Sequence, residues 1–124
     1  GGESYNYLFF IENVFGYFYT NNQNILNDFN FNKIFYKNFG GKVINYNNDK
    51  IINGDICILN LSKLNINLLK KINSLSFKKI IIINCHHKDF WKKIKYLSNY
   101  KLKIREKFVD ENIRYFITVN LLVL

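Results

Sequence analysis

Proline, methionine and alanine are absent from this sequence of 124 residues, and glycine occurs only six times. Asn, Lys, Ile, Phe and Tyr replace them at apolar and polar positions alike. We interpret this as the codon bias of an AT-rich genome rather than as a structural demand, so the asparagine pairs indicate loops and nothing more specific. The chain begins Gly1-Gly2 without an initiator Met, which favours an excised piece of a longer protein in which residues 1–6 are a linker.

Long apolar runs are also missing. No stretch of 18 apolar residues exists, so we expect no transmembrane helix and no membrane partner. No signal peptide is recognisable. The two cysteines, Cys57 and Cys85, lie inside apolar runs and lack Cys-x-x-Cys spacing. This pattern is typical of buried free thiols in a reducing compartment, and it predicts an intracellular protein.

Catalytic and metal-binding motifs are absent as well. The sequence contains no phosphate-binding loop, no zinc-protease motif and no Ser-His-Asp arrangement. Cys85-His86-His87 and the nearby Asp89 are too close in sequence to surround one ion easily, and no second Cys/His cluster completes a tetrahedron. We therefore predict no catalytic residues, no metal and no cofactor.

What the sequence does contain predicts one folded domain that favours acidic partners. Hydrophobic residues make up 48% of the chain and aromatic residues 18%, well above the composition of a disordered chain. The length suits a single domain. The net charge is +9, which favours binding to nucleic acid, an acidic protein surface or an anionic membrane.

The order of apolar segments predicts an α/β fold. Uniformly apolar runs are typical of strands covered on both faces, and apolar residues at three- and four-residue steps indicate helices. Strands joined through helices give parallel crossovers. Residues 101–108 and 114–124 are interpreted as an extended C-terminal pair. The predicted strands are Tyr7–Ile11, Lys42–Tyr46, Ile56–Leu59 and Ile80–Ile83, and the predicted helices are 24–39, one that begins at Asn60 or Ser62, and one that carries Phe90 to Leu97.

The spacing of three features, a glycine pair, an apolar strand and a tryptophan on the last helix, resembles that of a BRCT domain over residues 7–108, with 109–124 as a separate extended segment. Gly40 and Gly41, in Phe39-Gly40-Gly41-Lys42-Val43-Ile44, match the glycine pair that closes the family's first helix. Trp91 matches the family's tryptophan, which packs into the core from the last helix. The resemblance implies a four-stranded parallel sheet flanked by three helices, with Gly40, Gly41 and Trp91 as fold-determining residues.

The same resemblance implies a protein-interaction module of a nuclear protein in DNA repair, replication or the damage response, with ribosome assembly as a lesser alternative. Many BRCT domains bind a phosphopeptide through a Ser or Thr and a Gly amide after the first strand and a Lys on the second helix. Asn13 is the nearest match to the first group, and Lys63 and Lys70 are the candidates for the lysine. Because the Ser, Thr and Gly are missing and Glu12 would repel phosphate, we expect a partner protein rather than a working phosphate pocket.

A second hypothesis is a nucleic-acid-binding domain. Residues 92–107 form a basic stretch interleaved with Tyr96 and Tyr100. Cations neutralise phosphates while aromatic rings stack on exposed bases. The candidate contacts are Lys92, Lys93, Lys95, Lys101 and Lys103, with Arg105 and Lys107 in the same stretch.

A third hypothesis is a degenerate class I methyltransferase-like domain. The segments 55–60 and 80–85 resemble the late strands of that family, and Cys85 falls near the nucleophile position of its RNA uridine-5 members. However, the glycine-rich cofactor loop is represented only by Phe15-Gly16-Tyr17, and Asn60-Leu61-Ser62 stands where acidic and proline residues are expected. An active methyltransferase is therefore not expected.

Overall fold

A computed structural model describes residues 14–47, 50–84, 87–110 and 115–124, and it shows an α/β fold. These residues form six strands and four α-helices, with a short 3₁₀ helix after the last α-helix. The strands are β1 (Gly16–Thr20), β2 (Gly40–Asn45), β3 (Ile56–Asn60), β4 (Lys79–Asn84), β5 (Lys101–Asp110) and β6 (Tyr115–Val123). The helices are α1 (Gln23–Leu26), α2 (Phe29–Phe39), α3 (Ile66–Ser74), α4 (His87–Lys93) and the 3₁₀ helix Ile94–Tyr96.

The strands form one mixed sheet in the order β2-β1-β3-β4-β6-β5. The first four strands are mutually parallel, while β6 runs antiparallel to both β4 and β5. After β4 the chain therefore crosses to the far edge of the sheet, where it forms β5. It then returns as β6, which lies between β4 and β5. Because β5 and β6 are consecutive and antiparallel, they need no crossover helix.

Each face of the sheet is covered by its own pair of helices. Successive side chains of a strand point to opposite faces, so Ile81 and Ile83 pack with α1 and α2, whereas Ile80 and Ile82 pack with α3 and α4. We call the side that carries α3, α4 and the 3₁₀ helix the α3–α4 face. The uniformly apolar strands β3 and β4 are buried on both sides, as their composition predicts.

The four-stranded parallel sheet with three helices is a wrong prediction, although the broader α/β class is confirmed. The described residues hold six strands, two of them in an antiparallel hairpin. The predicted tail is extended, but β6 is an internal strand of the sheet and the predicted boundary at residue 108 falls inside β5. The predicted strand Tyr7–Ile11 lies outside the described residues, and the first described strand is β1.

Asparagine and aspartate caps place the helix boundaries differently from the prediction. The single helix predicted over 24–39 is two helices, because the Asp28 side chain accepts a hydrogen bond from the Phe31 amide and starts α2 anew. The next helix starts neither at Asn60 nor at Ser62 but after Asn65, whose side chain accepts from the amides of Asn67 and Leu68. No helix of the described ranges is long and apolar enough to cross a membrane.

The glycine pair ends α2 and starts β2, as predicted. Gly40 is the C-cap of α2 and has a φ of 72°, in the left-handed region that glycine adopts without steric cost. A Cβ atom placed on Gly41 would lie 1.8 Å from the carbonyl oxygen of Gly16 in β1. Gly40 therefore permits the turn, and Gly41 permits the close approach of β2 to β1.

Trp91 does not pack into the core, which corrects its prediction as a fold-determining residue. It is 53% exposed, whereas its neighbour Phe90 is fully buried against the α3–α4 face. Adjacent residues on an α-helix point about 100° apart, and in α4 the direction towards the sheet is taken by Phe90. Phe90 occupies the core position, and Trp91 projects from the same helix towards solvent.

We expect Gly41→Ala to lower the free energy of unfolding by about 3 kcal/mol or more, because its Cβ would collide with backbone that cannot rotate away. Gly40→Asn is the matched control. Asparagine tolerates the left-handed conformation, so we expect a loss of about 1 kcal/mol or less. Urea denaturation of both variants measures the difference, and equal stability of the two variants would contradict the close approach at Gly41.

Candidate nucleic-acid interface

The carboxyl ends of the parallel strands are the usual ligand position in an open α/β sheet, at the point where the strand order reverses. Here that point lies between β1 and β3. The Thr20 hydroxyl donates to the side-chain oxygen of Asn60 at 3.0 Å and accepts from the Asn22 amide at 3.0 Å. These polar groups hydrogen-bond to one another, and β1 is not directly followed by a glycine-rich, phosphate-binding segment. The only glycine of β1, Gly16, is at its amino end.

A basic and aromatic cluster lies instead on the α3–α4 face. The ammonium groups of Lys70 and Lys95 are each 5.4 Å from the centroid of the Tyr96 ring. Lys70 belongs to α3, while Lys95 and Tyr96 belong to the 3₁₀ helix. The aromatic ring attracts both cations, so the fold brings two exposed lysines from separate elements onto one tyrosine.

Side-chain hydrogen bonds hold these two elements together. Asn73, near the end of α3, donates to the hydroxyl of Ser98 at 3.2 Å and accepts from the backbone amide of Asn99 at 2.9 Å. The side chain of Asn99 donates back to the Asn73 carbonyl oxygen at 3.1 Å. The segment that follows the 3₁₀ helix is thus fixed against α3, which keeps Tyr96 close to Lys70.

A second cationic contact supports Trp91. The guanidinium of Arg105, from β5, lies 4.8 Å from the centroid of the Trp91 ring and 5.3 Å from that of Phe90. The two rings meet edge to face with centroids 5.1 Å apart. The planar guanidinium suits stacking on aromatic rings, so one cation from the edge strand contacts both aromatic residues of α4.

Arg105 is in turn held by a buried polar group. Its Nη1 donates to the side-chain oxygen of Asn120 at 3.1 Å, and the Asn120 amide donates to the carbonyl oxygen of Ile82 and the hydroxyl of Thr118. Asn120 is fully buried. Partial burial lowers the pKa of Arg105 from its usual value, but an arginine pKa is so high that the side chain keeps its charge at neutral pH. The charge beside Trp91 is therefore permanent.

The predicted nucleic-acid contacts divide into two groups. Lys92, Lys95, Lys101 and Lys103 are exposed. Lys93 is less available to bind a phosphate, because its ammonium forms a 2.8 Å ion pair with Asp89 and donates to the carbonyl oxygen of Leu64. Lys93 thus joins α4 to the loop before α3, which is a structural contact.

The predicted phosphate-binding residues are only partly described. Lys63 is exposed in the loop between β3 and α3, and Lys70 is exposed on α3 beside Tyr96. Asn13 lies outside the described residues. The three-residue phosphate pocket therefore stays a prediction, although Lys70 is close to Lys95, a residue that the sequence assigned to nucleic-acid contact.

Cys85, the residue considered as a nucleophile, lies outside the described ranges, as does His86. Cys57 is fully buried, and burial raises the pKa of its thiol, which disfavours the reactive thiolate. The described residues contain no group of three or more His, Cys, Asp or Glu side chains placed to hold a metal ion.

Sequence reasoning missed the partners of this surface rather than its residues. The apolar stripe of α3 predicts that Lys70 is exposed, but it carries no signal that the side chain meets Tyr96. Likewise, the sequence indicates Arg105 only as one charge in a basic stretch and gives no sign of its contact with Trp91. Neither contact is local, because they join α3 to the 3₁₀ helix and α4 to β5.

The chain matches no protein-family model and no curated protein.

We expect Arg105→Met to lower the free energy of unfolding by about 1–3 kcal/mol, because it leaves the buried side-chain oxygen of Asn120 without its hydrogen-bond donor. Lys103→Met removes a charge of the same strand from an exposed position and should change stability by less than about 0.5 kcal/mol. Urea denaturation tests both variants. An Arg105→Met protein as stable as the Lys103→Met control would show that the Arg105–Asn120 contact contributes nothing.

Proposed function

We propose that this domain binds nucleic acid through its α3–α4 face and the adjoining strand β5. The observation that carries the proposal is the meeting of Lys70 and Lys95 at the Tyr96 ring. Two ammonium groups that contact one ring cannot be farther apart than twice 5.4 Å. They therefore present two positive charges close together on one surface, where both can contact the phosphates of one strand.

The distribution of charge along the chain supports the same surface. Residues 87–107 hold eight of the 18 lysines and arginines but only two of the nine acidic residues. Neutralising phosphates releases condensed counterions, which supplies affinity without sequence specificity. Six of the eight basic side chains are exposed, namely Lys88, Lys92, Lys95, Lys101, Lys103 and Lys107. Of these, Lys101 is paired with Val123, which packs on the side of α2, so it lies at the edge of the sheet rather than on the α3–α4 face.

The test is the salt dependence of binding. We expect affinity for a short DNA or RNA oligonucleotide, followed by fluorescence anisotropy, to fall steeply between 50 and 200 mM salt, since binding by charge weakens in this way. The double variant Lys70→Ala/Lys95→Ala should bind more weakly and should lower the slope of log K against log salt by about 2, one for each lost phosphate contact.

A charge-matched control is available on the other side of the sheet. Lys33 and Lys37 are exposed on α2, so Lys33→Ala/Lys37→Ala changes the net charge equally without touching the α3–α4 face. We expect this control to keep the wild-type salt slope. Equal loss of affinity in both double variants would mean that binding follows net charge alone, and it would remove the proposed site.

A second candidate function is docking of a partner protein on α2. Phe29 is 77% exposed and Tyr36 is 64% exposed, and with Lys33 they lie at helical positions i, i+4 and i+7, on one face. Large exposed aromatic residues grouped on one face mark interaction sites. Lys33 and Lys37 favour an acidic partner segment. This surface supports the protein-interaction function that the BRCT resemblance implies.

We expect the variant Phe29→Ser/Tyr36→Ser to lose a protein partner captured by the wild-type domain, because it removes the aromatic area that would be buried. The Lys70→Ala/Lys95→Ala variant should keep that partner, since its changes lie on the opposite side of the sheet. Quantitative affinity capture with all three proteins makes the comparison. A partner retained by Phe29→Ser/Tyr36→Ser would contradict docking on α2.

The phosphopeptide, the nuclear location and the role in DNA repair, replication or the damage response stay predictions of the BRCT resemblance. The methyltransferase-like alternative is also untested. Titration with a phosphoserine peptide and a copy in which aspartates restore its charge distinguishes the phosphate pocket from the proposed nucleic-acid surface, because a basic surface responds to the charge that both peptides share.

A further inference from the structure

We infer that Trp91 is a base-stacking platform and that the ligand of the proposed nucleic-acid surface is single-stranded. This inference rests on the proposed function and adds the chemical class of the ligand. In a duplex the faces of the bases are stacked on one another, whereas a single strand exposes them to aromatic side chains.

The ring of Trp91 is exposed. Trp91 is the only tryptophan of the chain and is 53% exposed. Its helix neighbour Phe90 already supplies the buried aromatic contact between α4 and the sheet. Burial of Trp91 is therefore not needed to complete the core, and its exposed ring leaves apolar aromatic area open to a ligand.

The position of the Trp91 ring is fixed by its neighbours. Arg105 lies over Trp91 at 4.8 Å, and Phe90 meets it edge to face. Arg105 is anchored by its hydrogen bond to the fully buried Asn120. A ring held in place before binding loses less conformational entropy when a base stacks on it. Arg105 acts here as a positioning residue.

Positively charged side chains lie on the same helix as the Trp91 ring. Lys88 and Lys92 are exposed on α4, three residues before and one residue after Trp91. Residues three apart on a helix are neighbours on its surface. A base stacked on Trp91 would thus have Lys88 on the same side of the helix, while Lys92 lies on the adjoining side. A cation beside an aromatic platform is the combination found in proteins that bind single strands.

The test compares ligands that share phosphates but differ in their bases. The probes are a labelled oligothymidylate 12-mer, an abasic 12-mer of the same charge and a 12-base-pair duplex, with oligouridylate to compare RNA with DNA. We expect oligothymidylate to bind the wild-type domain about 5- to 150-fold more tightly than the abasic strand, the range of one base–aromatic stack. It should also quench the fluorescence of Trp91, which reports on this position alone.

Two variants locate the effect. Trp91→Ala should lose the preference for bases over abasic sites and keep the salt slope, while Trp91→Phe should retain most of the preference. Arg105→Lys keeps the charge but loses the planar guanidinium, so we expect a weaker preference at an unchanged slope. Lys92→Ala, the adjacent control, should lower the salt slope and leave the preference intact. Circular dichroism and urea denaturation confirm that each variant is folded.

Failure of this inference differs from failure of the proposed function. Equal, salt-dependent binding of the oligothymidylate and abasic strands, or tighter binding of the duplex, would overturn the stacking platform and leave the phosphate-binding surface in place. A Trp91→Ala domain that keeps the full preference for bases would also overturn it. No salt-dependent binding of any probe would overturn both.

Discussion

The architecture depends on a backbone approach so close that only glycine fits. At the amino ends of three neighbouring strands, a Cβ on Gly41 would lie 1.8 Å from the Gly16 carbonyl oxygen, and a Cβ on Gly16 would lie 2.3 Å from the side chain of Ile56. These contacts place β1 between β2 and β3. Because Gly40 turns the chain directly out of α2, the same contacts also fix α2 against one face of the sheet.

The two faces that result differ in chemistry. One carries α2, with an outward row of aromatic and lysine side chains, and the other carries α3, α4 and the 3₁₀ helix with the larger share of the basic residues. On the second face the half-buried Tyr96 is paired with two lysines, and the exposed Trp91 is paired with Arg105. Ammonium and guanidinium groups kept beside aromatic rings suit a ligand that offers both phosphates and bases.

The sequence predicts the centre of this fold better than its edges. The uniformly apolar runs in β3 and β4 indicate strands buried on both faces, and Gly40 indicates the end of α2, because burial and a left-handed φ each demand particular residues. The spatial order of β5 and β6 has no such local signal. The sequence of an antiparallel hairpin indicates two extended segments whichever of its strands pairs with β4. For this reason the sequence predicts an extended tail where β6 is an internal strand.

The candidate site was predictable only in part for a similar reason. Composition identifies the basic stretch, but it does not distinguish Lys93, which is held in an ion pair with Asp89, from the exposed Lys92 beside it. Nor does it distinguish Phe90 from Trp91, since either ring alone satisfies an apolar helix position. These distinctions come from the direction in which α4 faces the sheet, which is set by tertiary packing.

Photochemical crosslinking is the most direct test of the claim that the α3–α4 face binds a single strand of nucleic acid. The folded domain would be irradiated with an oligonucleotide that contains thiouridine, and the crosslinked peptides would be identified by mass spectrometry. The account predicts crosslinks within residues 87–107, centred on Trp91 and Tyr96. Crosslinks confined to α2, or their absence from both α3 and residues 87–107 when the strand is bound, would contradict it.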